Sequence, residues 1–291
     1  MFSIVKNYKI FFSITIIFLL IGIGSMIFRG FNLGIDFTGG SIMDLSFNKP
    51  VTVSEVRDVL KEHDLGNSII QLESTDGSQS AQGVLIRTVV IDDSVRRDVM
   101  NDLKAKLGDF QIQRVEQVGA TIGSELIQQA IMAIVLSWVL MIGYITMRFE
   151  FKFAIAAIIA LIIDVMVTLS YFSLFHMEMD SSFVAALLTV VGYSINGTIV
   201  IFDRIRENLK IHRRSESLSD MIDNSIWQTM TRTCYTVGTS LFAVVAIFLW
   251  GGDTIRNFAF AMMVGFGSGA YTSIFLSGPL WLFLRGKKAG E

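Results

Sequence analysis

The sequence predicts a multi-pass membrane protein, mainly α-helical, with six membrane-spanning helices and one α+β domain between the first and second of them. Three observations predict it. Only 17% of the 291 residues are charged and 52% are hydrophobic, whereas an ordinary soluble domain carries about 25% charge. Six apolar stretches reach the roughly 20 residues that a helix needs to cross a bilayer. One long interval, residues 30–126, has no such stretch and is too long for a bare connection.

The six stretches are residues 10–28, 127–147, 153–175, 183–202, 233–250 and 258–284. The first follows Lys6 and Lys9, as a secretory signal would. Its apolar core is longer than the 7–15 residues of a signal, however, and Met26, Ile27, Phe28 and Arg29 stand where small cleavage-site residues belong. It reads as a retained anchor, which gives three regions: residues 1–29, 30–126 and 127–291.

Orientation follows the Lys and Arg of short loops. Lys6, Lys9, Arg148, Lys152, Arg204, Arg206, Lys210, Arg213, Arg214, Arg285, Lys287 and Lys288 fall on one side. The opposite loops hold Arg256 alone. Both termini are therefore expected to be cytoplasmic and residues 30–126 exported, in the cytoplasmic (inner) membrane.

The exported interval has a readable pattern. Residues 41–47 suggest a strand. Thr52 and Glu55 form a capping box that opens a helix to about residue 63. Residues 68–73 and 84–91 suggest two more strands. Val95, Val99, Leu103 and Leu107 mark one face of a helix over 94–107. Phe110, Ile112, Val115 and Val118 mark a last strand. The order βαββαβ suggests a ferredoxin-like module. With 9 Lys and Arg against 15 Asp and Glu, its acidic surface is no nucleic-acid site. After the fourth span, Leu218, Met221, Ile222 and Ile226 recur at helical spacing. Either an amphipathic helix on the membrane surface or a helix packed on the end of the bundle accounts for them.

Ionisable residues inside a membrane are costly and are functional candidates by default. Asp164 lies deep in the third span. It is either part of a transport path or a protonated carboxyl bonded to a neighbouring helix. Arg232 stands at the entry to the fifth span, where a snorkelling anchor is the plain alternative. Asp203 and Arg204 read as interfacial, at the cytoplasmic end of the fourth span, with Asp203 free to pair with a nearby Arg. Tyr193, Asn196, Gly197 and Val200 share one side of the fourth span, where Asn196 must find a hydrogen-bond partner. Gly265 and Gly269 form a GxxxG pair that favours close helix packing and offers a surface to a second half-bundle.

Enzyme signatures are weak. No Gly-rich loop ends in Lys-Ser or Lys-Thr, and His63, His176 and His212 lack zinc-ligand spacing. Asp164 and Asp203 lack the Gly-x-Gly-Asp context of an intramembrane aspartyl protease. One cysteine, Cys234, excludes an internal disulfide. The reading is a non-enzyme without metal or cofactor.

Two segments carry a family resemblance. The first is Phe31-Asn32-Leu33-Gly34-Ile35-Asp36-Phe37-Thr38-Gly39-Gly40. The second runs Val191-Gly192-Tyr193-Ser194-Ile195-Asn196-Gly197-Thr198-Ile199-Val200-Ile201-Phe202-Asp203-Arg204-Ile205-Arg206-Glu207-Asn208. Both resemble signature stretches of the SecD/SecF protein-export family, and the second has the SecF form. The run Asn224 to Thr233 is similar as well. The resemblance covers nearly the whole chain. It implies a half-bundle of the resistance-nodulation-division (RND) type that pairs with SecD. The pair would use the proton or sodium gradient to draw preproteins from the SecYEG channel, among membrane lipids and with no nucleic acid. The other class open to such a half-bundle is an RND-type exporter of lipids or small molecules.

The resemblance also marks a departure. The family carries Asp immediately after the Asn of the fourth span, and that Asp and the Arg matching Arg232 are implicated in proton passage. Here the position is Gly197, which cannot titrate. Asp164 or a carboxylate of SecD carries the ion instead, or water around Asn196 bridges the gap, or the chain is weakly coupled.

Overall fold

The computed structural model describes residues 2–73, 80–212, 217–252 and 255–286. Arg213, Arg214, Lys287 and Lys288 of the cationic pattern lie outside them. The chain divides into two compact units: Leu33–Gln129, and Met1–Asn32 together with Ala130–Glu291. In chain order the helices are α1 (Tyr8–Arg29), α2 (Ile35–Thr38), α3 (Val53–Lys61), α4 (Asp93–Leu107), α5 (Ala120–Arg148), α6 (Phe151–Phe175), α7 (Ser181–Ile211), α8 (Leu218–Trp250), α9 (Arg256–Tyr271) and α10 (Gly278–Arg285). A π-helical turn, Thr272–Ser277, joins α9 to α10. Among the described residues, six helical segments, with α9 to α10 counted as one, are long and apolar enough to cross a membrane.

The smaller unit is built on four strands: β1 (Gly40–Thr52), β2 (Ile69–Glu73), β3 (Ser80–Thr88) and β4 (Phe110–Val118). They form one antiparallel sheet in the order β2–β3–β1–β4. Met43, Leu45 and Phe47 alternate onto one face of β1 and meet Val56, Val59 and Leu60 of α3 and Val99 and Leu103 of α4 in a closed core. The expected capping box is formed: Thr52 Oγ1 accepts from the Glu55 backbone N–H, and Glu55 accepts from that of Thr52 at 2.8 Å.

Two irregularities explain where the strands depart from the expected alternation. β1 runs on past residue 47 through Pro50, which has no N–H to donate and falls in a register shift between Ser46 and Val51. In β4 an extra residue at Gln113 keeps Ile112 opposite Leu45 and Val115 opposite Met43. The Asp36-Phe37-Thr38 run forms the single turn α2, closed by Gly39 at φ 71°. Gly40 then starts β1 at φ 138°, with the Thr88 carbonyl oxygen 2.6 Å from where a Cβ would lie, so the position demands glycine. Gly123 lets the first turns of α5 pass as close to the Phe37 carbonyl.

In the larger unit, α6 packs against α1, α7 and α9. Its small residues Ala154, Ala156, Ala157 and Ala160 are fully buried, which is what close helix approach in a membrane requires. Residues 218–226 are the first turns of α8, continuous with the fifth span. Of the two readings of this stretch, packing on the bundle is therefore the one that holds. Leu218, Met221, Ile222 and Ile226 join the main core together with Ile4 and Val5. The N-terminal residues are strapped to the same turns. Val5 N–H donates to Asp223 at 2.9 Å, Ser3 Oγ donates to the same carboxylate, and Trp227 Nε1 donates to the Phe2 carbonyl at 3.0 Å.

Candidate functional site

Asp164 sits midway along α6 with no exposed surface. A carboxyl in such a place has to be hydrogen-bonded. Its partners come from two neighbouring elements. Ser194 Oγ on α7 donates to one oxygen, and Thr272 Oγ1 lies 3.0 Å from both. Ser268 on α9 is a further hydroxyl close to the carboxyl, with its own proton donated to the Gly265 carbonyl at 3.1 Å. No Lys or Arg among the described residues pairs with Asp164. The set is all oxygen, which suits a proton or a small hard cation.

Backbone packing delivers these hydroxyls. A Cβ on Gly265 would collide with Val190, and one on Gly269 would lie 2.9 Å from Ser194 Cβ. The two glycines therefore draw α9 onto α7 and set Ser194 between Gly269 and Asp164. The π-helical turn begins at Thr272 itself. Such turns widen a helix locally and recur at functional sites. The Gly265/Gly269 face is thus consumed inside the chain, which corrects the expectation that it offers a surface to a second half-bundle.

Ser194 also lines a cleft between α7, α8 and the π turn. The cleft brings together Asn196, Gly197 and Arg232, three residues singled out in the sequence, with Ser273 and Thr236. Its volume is about 80 Å³, enough for more than one water at the roughly 10–15 Å³ that each needs. Ser273 Oγ shares a 2.9 Å hydrogen bond with Thr198 Oγ1 and lies 3.1 Å from the position of a Gly197 Cβ. Asn196 and Arg232 are both exposed. Arg232 has no carboxylate partner among the described residues.

The remaining candidates lie elsewhere. Asp203 pairs with Arg206 at 3.0 Å, one helical turn on, and Arg204 pairs with Glu207 at 2.9 Å. Arg206 also donates to the Arg148 carbonyl at 2.9 Å and covers the Phe149 ring at 5.0 Å. Asp203 and Arg204 are thus neighbours that each pair with another residue of α7. Asp36, Phe37, Thr38, Gly39 and Gly40 form the turn that opens the sheet of the smaller unit.

Comparison with known proteins places this arrangement. Residues 98–287 match the family described as protein export membrane protein SecD/SecF, C-terminal, and residues 24–51 match the SecD/SecF GG motif. The chain belongs to the SecD/SecF family. It is 67% identical to the protein translocase subunit SecF of Acidaminococcus fermentans, over 98% of each chain. Identity to the protein of the same name from Sebaldella termitidis is 38%, over 97% of this chain and 92% of that one. It also superimposes on the crystal structure of SecDF, a translocon-associated membrane protein from Thermus thermophilus, with a TM-score of 0.88 at 32% identity. That match covers 98% of this chain and 39% of the SecDF chain. A multi-pass membrane protein of the SecF kind therefore carries, in this chain, a buried carboxyl on α6 and a glycine at the cleft.

Sequence reasoning found Asp164, Asn196, Gly197 and Arg232 but missed Ser194, Ser268, Thr272 and Ser273 as its surroundings. Ser268 and Thr272 stand four residues apart in an apolar span, a spacing that places both on one helix face. That signal was present and weak, because Ser and Thr in membrane helices also bond their own backbone carbonyls.

Proposed function

We propose that this chain is an accessory subunit of the Sec protein translocase that pairs with SecD and uses an ion gradient to promote preprotein export through SecYEG. Both termini are cytoplasmic and the Leu33–Gln129 unit is exported, on the Lys and Arg distribution. The strand order β2–β3–β1–β4 within a βαββαβ succession supports reading that unit as ferredoxin-like. Pairing with SecD has two supports. The chain corresponds to 39% of a SecDF chain, which leaves room for a second half. An exposed face of α7 and α8 also carries Asn196, Thr189, Gly192, Arg232 and Thr236. Thr189 and Thr236 bond their own helix carbonyls, but lipid tails cannot satisfy the Asn196 amide or the Arg232 guanidinium, whereas a second helical half can.

The observation that carries the coupling is Asp164, buried among hydroxyls, with Ser194 as a wall common to it and the water-sized cleft of Arg232. Ionised, the carboxylate takes donors from Ser194 and Thr272. Protonated, it is itself a donor, and one of those hydroxyls must turn away. Ion occupancy therefore biases two arrangements of α7 against the π turn, which is what driving a conformational cycle requires. Gly197 moves the titrating role from the cleft to Asp164. The test is export by inverted vesicles, with and without an ion gradient, from cells carrying SecD and either the parent chain or Asp164→Asn. Gradient-dependent export that persists in Asp164→Asn would remove the reading.

A further inference from the structure

A second cavity, of about 530 Å³, lies between α1, α6 and α9. Its walls are carbon for the most part, with Phe18, Tyr171, Phe175 and Phe260 prominent. Three of its hydroxyls are already engaged inside the chain. Thr15 donates to the Phe11 carbonyl at 2.9 Å, Tyr271 to the same carbonyl at 2.9 Å, and Ser268 to that of Gly265 at 3.1 Å. Thr272 is committed to Asp164. The floor therefore offers mostly hydrocarbon, and among the lining hydroxyls only that of Tyr171 is left without a hydrogen bond inside the chain.

Gly267 forms part of the wall and is exposed. A helix-interior glycine costs about 1 kcal/mol relative to alanine. Gly265 and Gly269 on the opposite side are explained by their approach to α7, but a Cβ on Gly267 would meet nothing within 4 Å. The glycine keeps open a space that the chain does not fill. Where α1 ends, Arg29 is exposed and donates one N–H to the Leu174 carbonyl at 2.9 Å. Leu174 is within one turn of Tyr171 on the groove wall, and the other guanidinium donors of Arg29 remain available.

We propose that this groove is a phospholipid site, with an acyl chain lying against Gly267 and the lipid phosphate held by Arg29. The groove is walled by three membrane-spanning helices, so acyl chains are the medium that adjoins it. Arg is the side chain whose planar fork fits a phosphate at one end of such a groove. A bound chain would also press on the side of α9 that carries Ser268 and Thr272, and so steady the hydroxyls of Asp164.

The test is native mass spectrometry of the full chain in mild detergent, titrated with phosphatidylglycerol, with phosphatidylcholine of the same chains, and with glycerol phosphate. The parent should retain phosphatidylglycerol better than phosphatidylcholine, and glycerol phosphate should not compete. Gly267→Leu should weaken both lipids roughly tenfold, the equivalent of one or two buried methylenes, while Gly267→Ala behaves more like the parent. Arg29→Gln should weaken phosphatidylglycerol about fivefold, and phosphatidylcholine less, because its choline cation already offsets the phosphate charge. If Gly267→Leu does not purify folded, Met263→Trp on the same wall carries the comparison. Equal lipid retention in all variants overturns the proposal, and so does competition by glycerol phosphate alone. A photoreactive residue in place of Val264 that captures protein rather than lipid in native membranes would assign the groove to a partner helix instead.

Discussion

Thr272 Oγ1 lies 3.0 Å from each carboxylate oxygen of Asp164, and Thr272 is the first residue of the π-helical turn. One hydroxyl proton cannot serve both oxygens fully at once. The contact therefore has two near-equivalent forms, and a proton or cation arriving at the carboxyl would favour one of them. The backbone irregularity and the buried charge-bearing group are coupled through this one side chain.

Asp164→Asn tests that coupling. It keeps the shape of the side chain and supplies a fixed amide donor, so the protein should assemble, with a stability cost of about 1–3 kcal/mol from one mismatched buried hydrogen bond. Gradient-dependent export should fall to the level measured without a gradient. Thr272→Val should reduce the same activity less, because the Ser194 donor remains. Export assays on vesicles with matched protein content decide the order.

The glycines of α9 should rank by what their Cβ atoms meet. Gly265→Ala and Gly269→Ala force overpacking against Val190 and Ser194, worth about 1–3 kcal/mol of destabilisation. Gly267→Ala meets open space and should be neutral or stabilising, by up to about 1 kcal/mol through helix propensity. Thermal unfolding of the three variants in one detergent gives the ranking. Equal losses in all three would mean that helix packing is not what the pair is for.

Much of this was legible beforehand, for identifiable reasons. The sheet could be read because Met43, Leu45 and Phe47 alternate and Thr52–Glu55 is a local box. The spans could be read because length and apolarity are local too. Residues 218–226 stayed ambiguous because the groups that hold them are more than 200 residues away: Asp223 binds Ser3 and Val5. The π turn left no mark in the sequence, since hydrophobic spacing does not register one extra residue in a turn. The loss of the Gly265/Gly269 face to an internal contact was illegible for a different reason. GxxxG specifies close approach without naming the helix that approaches.

The N-terminal strap should loosen in alkali. Lys6 Nζ lies 2.7 Å from Asp220, and that hydrogen bond raises the Lys6 pKa above its ordinary 10.5. A group whose folded pKa is raised contributes fully below its unfolded value and loses the contribution as pH rises through the folded one. The strap should therefore hold through neutral pH and release above about pH 10.5. Trp227, which donates to Phe2, reports it. The emission difference between the parent chain and Lys6→Gln should grow as pH falls from 12 towards roughly 9, where the Lys is charged. A flat difference would show that the ion pair does not hold the strap.

Gly197 decides whether the cleft can regain a titrating group. A Cβ there would sit 3.1 Å from Ser273 Oγ and 3.6 Å from Ser273 Cβ. The serine hydroxyl, shared with Thr198, must give by a few tenths of an ångström, while the rest of a longer side chain extends towards the cleft with Arg232 and Asn196. Gly197→Asp should thus assemble, place a carboxylate where Arg232 has no partner, and keep or increase gradient-dependent export. Gly197→Asn has nearly the same size and cannot titrate, so it should assemble equally and gain nothing. The informative combination is Asp164→Asn with Gly197→Asp. If the cleft carboxylate relays the ion, export returns towards the parent level in the double variant, and it does not return with Asp164→Asn and Gly197→Asn together. Should Gly197→Asp and Gly197→Asn both lower assembly and export to the same degree, close packing against Ser273 explains the glycine, and the cleft has no relay to restore.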